Sequence, residues 1–435
     1  MNIRKRESTA ILNSLAGAVV PSRGLQYIMV GRAEEAQQIS KELQFVAEGS
    51  SNIKFFIGPF GSGKSFIQGF IKQLAFNNKF VVATADFTPE RRLYGTEGKA
   101  VATYTELMKN MAIPTQIEGN ALSTILDKWI NDIQLIVVAE QQYDSIEYDN
   151  PKFIGDVAVK ITQVVSKMDE LVGGFDFARI LTLYFRSMVE DNQDLQRKTL
   201  RWLRGEYGTR TEAKQDLGVR EIIDDQNWYN YMKIWSQFVK QIGYNGLVIN
   251  FDEAINLYKI THVQSREKNY ETILKIFNDT LQGNVEGLYI TFGGTPEFLE
   301  DERKGLFSYG ALKRRLQSNK FETTEFRDFS QPVIKIVPLK NEETYLLLCK
   351  IRDIHATHYG YTVTITDNEL KQFIEVEYKR PGASTHLTVG DIIKNFIGAL
   401  NILHQNPDFN RSEIFTQVSD SIQKDIMTRF AHTEV

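Results

Sequence analysis

The octapeptide Gly58-Pro59-Phe60-Gly61-Ser62-Gly63-Lys64-Ser65 dictates more about this chain than any other stretch, because it needs a strand before it and a helix after it. It fits G-x-x-x-x-G-K-[ST], a pattern whose glycines let backbone N–H groups turn inward around an anion as a helix begins. Residues 53–57 supply the strand, a short apolar run of β-branched and aromatic side chains. Phe66, Phe70, Ile71 and Leu74 recur at helical spacing and supply the helix, whose N-terminal dipole favours negative charge. In such a loop Lys64 reaches terminal phosphates and Ser65 places its hydroxyl on Mg²⁺. The stretch from Gly58 to Phe66 therefore predicts a nucleotide site. A chance match in a glycine-rich turn is the bland alternative, and the flanking pattern argues against it.

At 435 residues the chain exceeds one ordinary core, which predicts two or three domains. A formal net charge of −4 argues against a wholly basic surface, so contact with DNA would need a local patch or an assembled ring. Cys349 is the only cysteine, which leaves no disulfide framework within one chain and fits a reducing compartment. Arg4, Lys5 and Arg6 ahead of the apolar run 10–20 superficially resemble a secretion signal, but Glu7 and Asn13 interrupt it. Ile11, Leu15 and Val19, four apart, suit a short docked helix better. No stretch approaches eighteen consecutive apolar residues, so no membrane span and a cytoplasmic location are expected.

Five short apolar runs, 53–57, 80–85, 247–251, 288–292 and 333–337, read as central parallel strands covered on both faces. The second and third are separated by far more chain than a crossover requires. That insertion is helical: Leu122, Ile125, Leu126, Trp129, Ile130, Ile133 and Val137 form one stripe, and Trp228, Tyr231, Met232, Trp235, Phe238, Val239 and Ile242 another. Phe177, Ile180, Leu181, Tyr184 and Met188 mark a third helix, and these aromatics read as helical core rather than a base-stacking platform. Beyond a hinge at 338–341, further helices are marked by Tyr345, Leu348, Ile351 and Ile354, by Leu370, Phe373 and Ile374, and by Ile392, Ile393, Phe396 and Leu400. Arg380-Pro381-Gly382 breaks the last two.

The third strand ends in Asp252-Glu253, the arrangement of a Walker B element. Asp252 would hold the Mg²⁺ shell, and Glu253 would polarise the attacking water, which favours hydrolysis over nucleotide binding alone. At the end of the fourth strand, Thr295 in Gly293-Gly294-Thr295-Pro296-Glu297 is the candidate for positioning that water, with Thr291 second and an ordinary strand-end turn the bland reading. Arg314 and Arg315 lie between the fourth and fifth strands, where AAA+-type ATPases carry an arginine that acts in a neighbour's site. A solvated basic face or a DNA phosphate patch explains them as well. Gly31-Arg32, ahead of the first core helix, sits where adenine or ribose is often packed. Arg197, Lys198, Arg201 and Arg204 form a basic cluster that reads as a solvated helix face before it reads as a DNA contact.

Together these residues resemble the BREX-system ATP-binding protein family (BrxD-like), a P-loop group among the AAA+/origin-recognition-like ATPases. The similarity includes Leu15-Ala16-Gly17-Ala18-Val19-Val20-Pro21-Ser22-Arg23-Gly24-Leu25, Val30-Gly31-Arg32, the phosphate loop, Trp202-Leu203-Arg204-Gly205-Glu206, Leu217-Gly218-Val219 and Asn250-Phe251-Asp252-Glu253-Ala254. The resemblance implies an α/β fold, a P-loop NTPase with an additional-strand parallel sheet, a large helical insertion and a C-terminal helical lid. The expected segments are 1–30 for docking, 31–100 with 245–340 for the ATPase core, 101–244 for the insertion and 341–435 for the lid. It implies ATP and Mg²⁺ as cofactors, a prokaryotic system that restricts phage, and other subunits of a defence complex as partners. A homo-oligomer and DNA, met directly or through partners, are further partner expectations. Two functions are open: an ATPase that remodels or loads a DNA-associated complex, and a nucleotide-gated assembly switch with little turnover. One departure is visible, since Thr388-Val389-Gly390-Asp391 stands where such proteins often carry a lid arginine. Arg380 is the available substitute.

Overall fold

The computed structural model describes residues 2–166, 173–323, 326–380 and 387–409. The chain divides into two compact units: Met1–Gln37 with Gly58–Gln73 and Lys335–Val435, and Gln38–Ile57 with Leu74–Ile334. The glycine loop at 58–63 falls in one unit with the C-terminal helices.

The larger unit is built on a sheet of β1 (Asn52–Ile57), β2 (Val81–Asp86), β3 (Leu247–Asp252), β4 (Leu288–Gly294) and the edge strand β5 (Val333–Lys335), in the order β2-β3-β4-β1-β5. The β1–β4, β3–β4 and β2–β3 pairs are parallel. All five expected strands form, within a few residues of the boundaries read from sequence, and the central ones are buried on both faces as their unbroken apolar runs require. Near their carboxyl ends Phe55 stacks on Phe292 at 5.0 Å, Phe292 on Phe251 at 5.1 Å, and Phe251 on Phe87 at 5.1 Å. This ladder ties together the ends from which Asp86 and Asp252 emerge.

The insertion between β2 and β3 is helical, as its stripes predict, with Leu122–Gln141, Gly174–Val189 and Trp228–Gln241 carrying the three stripes. It shares the sheet's unit and hydrophobic core. Trp129 packs edge-on against Phe238 at 4.9 Å, and Phe177 against Trp235 at 5.1 Å. The buried indole N–H groups are satisfied: Trp235 donates to the Tyr104 hydroxyl, Trp202 to the Glu221 carbonyl and Trp228 to the Leu93 carbonyl. These aromatics are core. Three of the four bases in the cluster are ion-paired, with Arg197 on Asp194, Lys198 on Asp194 and Asp216, and Arg201 on Glu212.

In the smaller unit the N-terminal helix Lys5–Ala16 buries Ile11, Leu12 and Leu15 and packs against helices Asn341–Tyr359 and Val389–Gln405. Val19 does not continue its stripe. The helix stops at Ala16, Gly17 caps it, Ala18 takes a left-handed φ of +55°, and Val19 is 62% exposed. A four-residue spacing carries no weight once the backbone has left the helix. Helix Asp367–Lys379 ends at Arg380, and Pro381 and Gly382 lie outside the described residues. Among the described residues no helix is long and apolar enough to cross a membrane.

Candidate nucleotide site

The loop from Gly58 to Gly63 follows β1 in the chain and leads into the helix Lys64–Asn77. Gly61 and Gly63 have φ of +75° and +96°, a backbone that side chains rarely adopt. At Gly58 the demand is for space instead, since a Cβ would strike the Ile336 carbonyl oxygen and lie 2.5 Å from Ser62 Oγ. The Lys64 ammonium folds back and donates to the carbonyls of Gly58 and Pro59, each at 2.8 Å. A phosphate chain within the loop would offer that ammonium a charged acceptor. Ser62 Oγ is buried with no hydrogen-bond partner among the described residues, an orphan that a ligand or water would satisfy. Ser65 is exposed on the first helical turn, Phe66 is half-buried beside it, and Phe60 is 87% exposed at the apex. These features fit a phosphate group.

Gly31 and Arg32 belong to the same unit as the loop. The buried Arg32 guanidinium donates to the Ser62 carbonyl at 3.1 Å and to the Val337 carbonyl, and lies 3.7 Å from Glu35. It therefore braces the loop's backbone against the segment that follows β5. Gly31, φ +65°, faces the Glu343 carboxylate so closely that a Cβ there would collide with it.

In the larger unit, β3 ends in an acidic turn with an unusual backbone. Asp252 accepts the Glu253 backbone N–H at 2.8 Å, and Glu253 holds φ at +56°. A non-glycine residue in this region costs free energy, and such strain concentrates at functional sites. Ala254 N–H then donates to the Gly293 carbonyl at 2.9 Å, which seats the turn on the end of β4. Sequence reasoning missed Asp86. It ends β2 in register with Asp252, and burial, reinforced by the charge of Asp252, pushes its carboxyl above the ordinary carboxylate range. An acid closing the strand that neighbours the Asp-Glu strand was the available signal.

The two threonine candidates are in different states. Thr291 is fully buried and spends its hydroxyl on Asn250 Oδ1 at 2.8 Å. Thr295 stands at the start of helix Pro296–Glu300 without capping it, and its Oγ1 is buried with no hydrogen-bond partner among the described residues. Arg314 and Arg315 are exposed on the helix Gly310–Leu316, where Arg315 donates to the Ala311 carbonyl at 2.9 Å and Lys313 pairs with Glu302. The side chain of Arg380 is buried and ion-paired to the fully buried Glu377, to which Asn395 also donates.

The chain thus has a glycine loop fitted to phosphate and, in its other unit, an acidic turn at the carboxyl edge of a parallel sheet. No curated protein matches it. The family model for the BREX system ATP-binding protein BrxC/D matches residues 3–419, nearly the whole chain, and this chain belongs to that family.

Proposed function

We propose that the chain is a Mg²⁺-dependent ATP hydrolase of AAA+-like P-loop type that remodels or loads a DNA-associated complex of a BREX phage-defence system. The observation that carries hydrolysis is Glu253, an acid held in a strained turn by the aspartate before it. A scaffold that only bound nucleotide would not require a base at that position. The strand order supports the fold reading, since β4 is interposed between β1 and β3 as the additional strand.

In this reading loop N–H groups and Lys64 hold the β- and γ-phosphates, and Ser65 and Asp252 supply oxygens to Mg²⁺. When bound there, the metal would supply charge neutralisation at the transferring phosphoryl group. Glu253 orients the attacking water and draws its proton, while the Thr295 hydroxyl, without a partner among the described residues, is suited to hold that water in line. Arg314 and Arg315, which are solvent-facing, would serve a neighbouring copy.

A second reading, a nucleotide-gated assembly switch, is favoured by Arg380. Its guanidinium is engaged by Glu377, which leaves the lid short of a phosphate-facing arginine and would make turnover slow. Steady-state phosphate release, measured alone and with DNA and partner subunits, separates the two. Stimulated turnover abolished by Glu253→Gln supports the hydrolase. ATP binding with no release under any condition supports the switch.

A further inference from the structure

We propose that Thr388 is a positioning residue for the phosphate loop, its methyl group bearing on Gly61 so that the helix Val389–Gln405 follows the state of the loop. The inference rests on reading Gly58–Ser65 as the phosphate loop. A Cβ placed on Gly61 would lie 2.6 Å from Thr388 Cγ2 and 2.8 Å from Thr388 Cβ, so the threonine already fills the space over the loop's apex.

Thr388 is held there by its own helix. It is the N-cap of Val389–Gln405 in a capping box: Oγ1 accepts the Asp391 N–H at 3.2 Å and donates to the Asp391 carboxylate at 2.6 Å, and the Thr388 N–H donates to that carboxylate at 3.0 Å. With the hydroxyl committed to the first helical turn, the methyl is what faces the glycine. The Asp391 carboxylate also opposes the binding of an anion at this helix end, so the contact acts through shape and not through the helix dipole.

Behind the contact, the helix is anchored. Ile392, Ile393, Phe396 and Ile397 are buried, and Asn401 Oδ1 lies 3.0 Å from Nε2 of the buried His355 on helix Asn341–Tyr359. A close-packed pair of helices moves as a body and does not absorb a push at one end. A loop that tightens around phosphates changes the position of its apex, and the methyl passes that change to the helices. The stretch that lacks the lid arginine thus has a steric relay in its place.

Two substitutions separate the methyl from the cap. Thr388→Ser keeps a strong N-cap and removes only the methyl, whereas Thr388→Val keeps the methyl and abolishes the cap. Each is made in the full chain carrying Glu253→Gln to preserve ATP, and amide hydrogen exchange over 389–405 is followed with and without Mg²⁺–ATP. In the parent, ATP is expected to slow exchange by about fivefold or more. Thr388→Ser should bind ATP with near-parental affinity by calorimetry yet lose most of that response. Thr388→Val should retain it, on a helix that exchanges faster throughout. A full response in Thr388→Ser, loss of the response in Thr388→Val, or a parent that binds ATP without any response overturns the proposal. A parent that shows no ATP binding, or binding untouched by Lys64→Ala, overturns instead the reading of the loop.

Discussion

The Lys54 ammonium and the Glu42 carboxylate meet at 2.7 Å with both side chains sealed from water. Lys54 lies on β1 and also donates to the carbonyls of Phe329, Ser330 and Gln331, while Glu42 accepts the Tyr289 hydroxyl at 2.9 Å. Burial pulls the lysine below its ordinary pKa and Glu42 pushes it back up. Because every polar group here is answered by another, removing one is costlier than removing both. Lys54→Met should destabilise the larger unit by about 3–5 kcal/mol, and Lys54→Met with Glu42→Leu by distinctly less. Urea unfolding of the three proteins checks this. A single substitution milder than the double would show that the pair does not behave as a unit.

Lys64→Ala removes the cation that the loop offers to phosphates. Hydrogen bonds to charged groups contribute about 1.5–3 kcal/mol, so ATP affinity should fall roughly 10- to 100-fold. Ser65→Ala should spare metal-free binding and weaken the Mg²⁺-dependent part. Calorimetry with and without Mg²⁺ measures both, and undiminished affinity for Mg²⁺–ATP in Lys64→Ala would remove this loop from the site.

Glu253→Gln keeps shape and hydrogen bonding and loses the ability to take a proton. General-base catalysis contributes about 10²- to 10⁴-fold, so phosphate release should drop by that order while ATP binding persists. Parental turnover in this variant would exclude Glu253 as the catalytic carboxylate.

If Arg314 and Arg315 complete a neighbour's site, specific activity should climb with protein concentration. Trans-acting arginines contribute about 10³-fold or more to turnover. An Arg314→Ala, Arg315→Ala double variant and a Lys64→Ala variant should each be nearly inactive, and mixing them should restore activity at interfaces joining an intact loop to an intact arginine. Concentration-independent turnover would assign these arginines elsewhere, most simply to DNA phosphates.

His355 sets an acid limit on the smaller unit. It is buried between the Tyr361 hydroxyl at 2.8 Å and Asn401 at 3.0 Å, and burial holds its pKa below the ordinary histidine value. The unfolded chain therefore takes up the proton first, near pH 6.5, and the native state resists until lower pH. Stability from this group is intact above that range and declines as pH falls through it. Urea midpoints at neutral and mildly acidic pH should separate for the parent and converge for His355→Gln. Equal acid sensitivity in both would place the effect on other groups.

Much of this arrangement was legible in the sequence, for a physical reason. Central parallel strands are short, unbroken and apolar, so the five runs declared themselves, and the Trp129 and Trp235 stripes declared their helices by period. What escaped depends on side chains far apart in the chain. Nothing in the letters tells Thr291 from Thr295, because the difference lies in Asn250 taking up the first hydroxyl. The bracing role of Arg32 is equally silent in the letters, because the carbonyls at its guanidinium belong to Ser62 and Val337. The acid that closes the second strand is readable as Asp86, but its pairing with Asp252 depends on β2 and β3 lying side by side in register.

The grouping of the phosphate loop with the C-terminal helices bears on where this chain can be cut. A fragment ending soon after β5 would retain all eight letters of the octapeptide, and by inspection of sequence it would pass for a complete nucleotide-binding domain. It would nevertheless have lost Thr388 from above Gly61 and Glu343 from beside Gly31, leaving glycines selected for crowding in open solvent. Unrestrained glycine carries the largest conformational entropy of any residue, so such a loop would have to be ordered at the expense of each binding event. The smallest piece of this protein that can hold a nucleotide well is thus longer than the motif's neighbourhood suggests, because residues that crowd these glycines are encoded more than three hundred positions away.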